Sequence, residues 1–210
     1  MNQKSGQNSL GLDACFEDEQ NPIVLFKKWF AVAEKSEIND PNALSLATST
    51  SRGMPSVRMV LLKGLSEKGF VFYTNFNSKK GNDLKKNPKA SMCFHWKSLR
   101  RQIRISGTAV VIDDKEADDY YNSRAYGSRI GAWASSQSEI MNKRKEFVDK
   151  IKEYENKYPD QKKVPRPPHW SGWRVEPENI EFWLEIKNRI HERLNYRKEN
   201  GKWMKEILYP

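Results

Sequence analysis

Residues 43–75 read ALSLATSTSRGMPSVRMVLLKGLSEKGFVFYTN. Three β-rich runs, ALSLATS, SVRMVLLKG and GFVFYTN, are separated by SRGMP and SEKG, whose Gly, Pro and Ser favour tight reversals. Short runs joined by short turns predict an antiparallel meander. Upstream, Asn21-Pro22 opens a helix: Asn suits the N-cap and Pro the first turn, and Ile23, Phe26, Phe30 and Ala33 share one apolar face. Residues 1–20 are expected to be a mobile arm, which leaves 21–210 as one domain.

Downstream, Asn75 to Lys89 carries turn signals and a short helix that Pro88 ends. ASMCFHWK and RQIRISGTAVVI supply two further strands, joined by SLR. Asp114–Ser123 is a short helix with acids in its first turn, where the helix dipole prefers them. Ser136 and Glu139 fit a capping box for a long helix to about Tyr158, with Ile140, Phe147, Ile151 and Tyr154 as its stripe. KKVPRPPHW is a proline-rich crossing segment. NIEFWLEI, RIHERLNYR and KWMKEIL then return to β structure, and Asn200-Gly201 marks a type I′ hairpin. The predicted fold is mainly β with flanking helices (α+β), an antiparallel barrel closed or nearly closed with its helices outside.

Composition narrows the function. The 210 residues hold 37 Lys+Arg against 27 Asp+Glu, a formal charge of +10, with a mean hydropathy of −0.86. No apolar run is longer than Trp29–Ala33, far too short for a bilayer, and the first twenty residues lack the pattern of a secretory signal. Cys15 and Cys93 make neither a disulfide framework nor a metal set, so a cytoplasmic, reducing setting without membrane or metal is expected. The basic residues are dispersed, with no polybasic tail and no zinc-finger or RRM signature. Charge alone leaves solubility, anionic lipid and phosphorylated small molecules open, while the dispersal argues against nucleic acid.

Several stretches could carry chemistry. Arg189, His191 and Arg193 alternate; on a strand they would line one face, on a helix only the two arginines would be neighbours. The strand reading makes a cationic cluster with a proton-transfer group at its centre. Arg58 and Lys63 bracket RMVLLK as solvated strand ends or as anion contacts. Ser78 can cap a helix whose free N–H groups, with Lys79 and Lys80, form either an anion site or an ordinary basic turn. Gln102 is an exposed strand residue or a partner for a heterocycle edge. Tyr120, Arg124 and Ser128 suit a phosphate or a surface ion pair. Gln137 and Ser138 cap a helix or bind a ligand, and Trp183 is core or cofactor contact.

In order, these are R-x-V-L-L-K, V-F-Y-T-N, S-K-K, R-Q, Y-x-x-x-R-x-x-x-S, I-G-A-W-x-S-x-Q-S and I-E-F-W…R-I-H-E-R. The set resembles the pyridoxamine 5′-phosphate oxidase family over about residues 21–210. The resemblance implies an FMN-binding split β-barrel working as a homodimer, with the flavin where two subunits meet. It implies oxidation of pyridoxine 5′-phosphate or pyridoxamine 5′-phosphate to pyridoxal 5′-phosphate, with O2 as acceptor, H2O2 as product and ammonia released from the amine. FMN would be held by Arg58, Lys63, Tyr73, Thr74, Lys79, Lys80, Gln102, Gln137, Ser138, Trp183 and Arg193, with Met59, Val60, Leu61 and Leu62 along the flavin mainly through backbone. Lys63, Tyr120, Arg124 and Ser128 would grip the substrate phosphate. Arg189, Ile190 and His191 would face its ring, with Arg189 and His191 catalytic.

Four departures from the family pattern stand out. Lys79 replaces the usual Arg, a point charge for a fork. Leu184-Glu185 replaces Gln-Gly and Ile190 replaces Leu. The arm SLGLDACFEDEQ lacks the family's Arg-Arg/Glu-Glu-Tyr stretch. The competing readings are a split-barrel flavoprotein with another ligand, a flavin-free binding protein and a nucleic-acid module.

Overall fold

The computed structural model describes residues 6–210. Among these residues nine strands form one curled antiparallel sheet, a half-barrel, flanked by five α-helices. The meander read from 43–75 is present as β1 (Ala43–Ser49), β2 (Pro55–Leu61), β3 (Gly64–Ser66) and β4 (Gly69–Asn75). With β5 (Lys89–Trp96), β6 (Arg101–Val111) and β7 (Trp170–Leu184) the order is β2-β1-β5-β6-β7-β4-β3. The hairpin of β8 (Glu192–Glu199) and β9 (Lys202–Ile207) is added to β7. Its turn has Asn200 at φ 48° and Gly201 at φ 79°, the two positive values a type I′ turn requires.

β7 is the spine. One edge pairs with β6 from Trp173 to Leu184; the other pairs with β4 over Trp170–Val175 and with β8 over Asn179–Leu184. A register shift at Ser106/Gly107 lets so long a pair bend. The two halves of β7 therefore have different neighbours, and this division governs where the candidate site residues lie.

α1 (Pro22–Ser36) starts as read, with the Asn21 side chain accepting from the Ile23 N–H at 2.9 Å. Phe26 meets Phe70 and Phe94 edge-on at 4.9 and 5.2 Å, and Trp29 meets Phe182 at 5.2 Å. Each such ring contributes about 1.5–3 kcal/mol through burial, which closes this face of the sheet.

Three expectations change. Within the arm, Leu12 and Phe16 are buried, Asp13 donates its N–H to Glu192, and the Cys15 carbonyl accepts from Trp29 Nε1 at 2.6 Å. This docked segment replaces the mobile arm over the described part of 1–20; residues 1–5 lie outside the described residues. The Ser136/Glu139 capping box does not start a helix: Glu139 N–H bonds to Ser136 O in a turn, and α5 begins at Arg144 and runs to Lys157. Ile140 is 96% exposed and no residue of α5 is buried, so the apolar spacing there faces no core within this chain. Ahead of it, IGAW lies on a helix not foreseen, α4 (Tyr126–Ala134), after α3 (Asp114–Ser123). Among the described residues no helix is long and apolar enough to cross a membrane.

Candidate active site

Between β2, β4, α3 and α4 lies a cavity of about 540 Å³, within the size range of small-molecule sites. Met59, Val60, Leu61, Lys63, Tyr73, Thr74, Lys80, Tyr120, Arg124, Ser128 and Gln137 all line it, as do Asn75 and Trp170. Eleven of the residues singled out in the sequence thus converge, and among the described residues no carboxylate lines the cavity. Lys63, Lys80 and Arg124 leave it cationic.

Lys80 follows Ser78, whose side chain caps α2 (Lys79–Lys86) as read. Its ammonium is buried and donates to Thr74 Oγ1 at 3.0 Å, Gln137 Oε1 at 2.9 Å and Ser78 Oγ at 3.3 Å, all neutral. Burial, and then the Arg58 charge, pull its pKa down to about 8. Arg58 donates to Thr48 Oγ1 at 2.7 Å, and Thr48 donates to the buried carboxylate of Asp83 at 2.9 Å. Lys79 pairs with that same carboxylate at 3.3 Å, so one acid organises two cations at the rim.

Tyr73 stacks on Tyr120 at 3.9 Å and on Trp170 at 5.2 Å, and the Arg124 guanidinium lies 4.8 Å over the Trp170 ring. Burial, then Glu116, push the Tyr73 phenol up to about 12, so it stays neutral. Arg124 Nη1 is buried without a hydrogen-bond partner. That N–H, at a cavity lined by no carboxylate, is free to meet an anion.

The rest of the set lies elsewhere. Gln102 pairs with Trp183, and Trp183 with Arg193, so these three stand in one row across β6, β7 and β8. Gly172, which pairs with Tyr73, and Trp183 lie eleven residues apart on β7, about 35 Å of strand at roughly 3.3 Å per residue. Arg189, Ile190 and His191 sit beside this distant row. Leu62 is buried in the core and is absent from the cavity lining; Ser138 lies beyond Gln137 at φ 76°.

The continuous Arg-x-His-x-Arg strand is not formed. β8 begins at Glu192, and Lys187–Arg189 is a 3-10 turn with Asn188 and Arg189 at φ 59° and 62°. The chain must reverse between β7 and β8 to pair them, and this segment makes the reversal. His191 is nonetheless fixed: its ring lies 4.7 Å from Trp183, and Nδ1 accepts from the Ile186 N–H at 3.2 Å. Leu184 packs into the core and Glu185 is exposed.

Sequence reading missed Trp170, Thr48 and Asp83. Asp83 carried a faint signal, as the acid four residues after Lys79 on one helix; the others became visible only through strand pairing.

Comparison with known proteins places this geometry. Residues 32–158 match the family described as pyridoxamine 5′-phosphate oxidase. Residues 170–210 match the pyridoxine 5′-phosphate oxidase C-terminal dimerisation region. A pyridoxine/pyridoxamine 5′-phosphate oxidase of Pelagibacter ubique is 59% identical over the whole of both chains. One from Agrobacterium fabrum is 51% identical over 93% of this chain and 95% of that one. Among solved structures, PhzG from Burkholderia lata, in complex with tetrahydrophenazine-1-carboxylic acid, superposes with a TM-score of 0.88. It is 31% identical, covering 98% of this chain and 100% of that one. A pyridoxamine 5′-phosphate oxidase-related, FMN-binding protein from Nostoc punctiforme shares the fold with a TM-score of 0.70 at 19% identity, covering 88% of this chain and 96% of that one. With the split-barrel sheet, the cationic cavity and relatives that match end to end, the chain belongs to the pyridoxamine 5′-phosphate oxidase family.

Proposed function

We propose that this protein is an FMN-dependent oxidase of vitamin B6 metabolism. It converts pyridoxamine 5′-phosphate or pyridoxine 5′-phosphate to pyridoxal 5′-phosphate, with O2 as electron acceptor and H2O2 as product; the amine also yields ammonia. One observation carries the assembly: a carboxylate-free cationic cavity lies at one end of β7 and the Trp183/His191/Arg193 row at the other. A site containing both ends needs a second copy of the chain, so the working unit is a homodimer of single-domain protomers (21–210) with two sites between them. The mixture of free, half-buried Cys15 and Cys93 and no disulfide suits the cytoplasm.

FMN fits the residues present. Arg58, Lys79 and Lys80 surround the capped start of α2 and would hold its phosphate, with Tyr73 and Thr74 beside them and the Met59–Leu62 backbone along the ring. Gln102, Gln137, Ser138, Trp183 and Arg193 complete its contacts. Bound flavin supplies the two-electron acceptor for the substrate's C4′ carbon.

The chain's own work is positioning. Lys63, Tyr120, Arg124 and Ser128 take the substrate phosphate, and the stacked Tyr73–Tyr120–Trp170 wall keeps water from it. Arg189, Ile190 and His191 orient the ring from the other copy. The Ile186 N–H occupies His191 Nδ1, so the neutral imidazole carries its proton on Nε2 and presents a donor to the substrate.

Purified protein should be yellow and should form pyridoxal phosphate and peroxide from either substrate. The assembly is tested by mixing two inactive variants, Arg124→Ala and His191→Ala, under conditions that exchange subunits. Half of a random mixture is heterodimer with one intact site, so roughly a quarter of wild-type activity should return. No recovery, with heterodimers demonstrated, refutes the two-chain site.

A further inference from the structure

The sheet row bearing Arg193 continues one step to a buried acid. Glu181 lies two residues before Trp183 on the same face of β7, pairs across the ladders with Arg104 and Asn195, and is 5% exposed. Its carboxylate takes Arg193 as a fork: Nε to Oε1 at 2.8 Å and Nη2 to Oε2 at 3.1 Å. Arg104 Nη2 donates to Oε2 from the other side. Arg193 Nη1 donates to the Tyr209 carbonyl at 2.8 Å, and the Leu208 N–H returns to the Arg193 carbonyl at 3.0 Å.

A guanidinium has five N–H donors in one plane. Three are taken by Glu181 and Tyr209, which leaves two, one on each terminal nitrogen. A bidentate carboxylate fixes the rotation of that plane, which a single contact would leave free. Two arginines share one acid, so the cluster keeps a net positive charge for an electron-rich edge.

We propose that Glu181, which is not among the residues expected to touch cofactor or substrate, is the positioning residue for Arg193. It holds the guanidinium plane so that the two remaining N–H groups meet the flavin, and the Leu208 and Tyr209 backbone completes the clamp. This rests on Arg193 being a flavin contact, as set out above.

The test is FMN titration into flavin-free protein, followed by quenching of flavin fluorescence. Arg193→Ala is measured first: no change in Kd would remove the flavin contact itself, and with it the basis of the clamp. Given a weakening there, Glu181→Gln should raise Kd roughly tenfold, the usual cost of one charge-assisted hydrogen bond. In the background of Arg193→Lys, which cannot use a fork, Glu181→Gln should have little further effect. Arg104→Gln, which removes the other partner of the acid, should leave FMN affinity within about threefold. Additive effects of Glu181→Gln and Arg193→Lys overturn the proposal. So does an unchanged Kd for Glu181→Gln with only a lowered urea midpoint, which would mark the acid as purely structural.

Discussion

Lys80 offers a pH experiment whose two halves run in opposite directions. The residue is 9% exposed, and its ammonium has three neutral oxygen partners at a cavity lined by no carboxylate. A pKa lowered from 10.5 to about 8 corresponds to about 3 kcal/mol at roughly 1.36 kcal/mol per unit. Below pH 8 the lysine is charged in both the folded and the unfolded chain, and this cost is present in full. Between pH 8 and 10.5 the folded chain sheds the proton while the unfolded chain keeps it. The cost then fades, and this group's contribution to flavin-free stability rises with pH.

A phosphate beside Nζ reverses the preference by favouring the ammonium. Binding above pH 8 therefore takes up a proton, and FMN affinity should fall by up to tenfold per pH unit from this group. Fluorescence titration from pH 7 to 9.5 reads the slope. Lys80→Arg, whose charge persists throughout, should flatten it. Lys80→Met should bind roughly 10–100-fold more weakly at pH 7. A wild-type Kd that is flat across this range, or an unchanged slope in Lys80→Arg, would refute the assignment of Lys80 to the phosphate.

Other substitutions test other parts. Phe16 is fully buried 5.4 Å from Trp29, so Phe16→Ala should cost about 3–5 kcal/mol in urea unfolding; a loss below about 0.5 kcal/mol, the size of a surface change, would show that the docked arm adds nothing. At the β6–β7 register shift, a Cβ on Gly107 would sit 2.0 Å from the Glu176 carbonyl oxygen, so Gly107→Ala should lose about 3 kcal/mol. Arg124→Lys keeps the charge but loses the fork and the stack on Trp170, so KM for pyridoxine 5′-phosphate should rise roughly tenfold or more with kcat less affected. Equal loss in kcat would instead place Arg124 at the reacting carbon.

Local patterning was enough for much of this molecule. The alternating runs of 43–75, the Asn21 cap, the Ser78 cap and the Asn200-Gly201 turn depend on neighbours within a few residues, and each appears where it was read. The ordered motifs identified the family, because side-chain type at fixed spacing survives without knowledge of contacts. Spacing also suggested a helix from Ser136 and a strand through Arg189. There the apolar stripe of α5 found no core in this chain, and the β7–β8 reversal overrode alternation. Tertiary structure decided the rest. Thr48 and Asp83 stand behind Arg58, Trp170 stands behind Tyr73, and Glu181 stands under Arg193, each brought there by strand pairing or packing between distant segments. It also separated the two groups of candidate site residues along β7, because β4 and β8 share one edge of that strand and cannot occupy the same stretch of it.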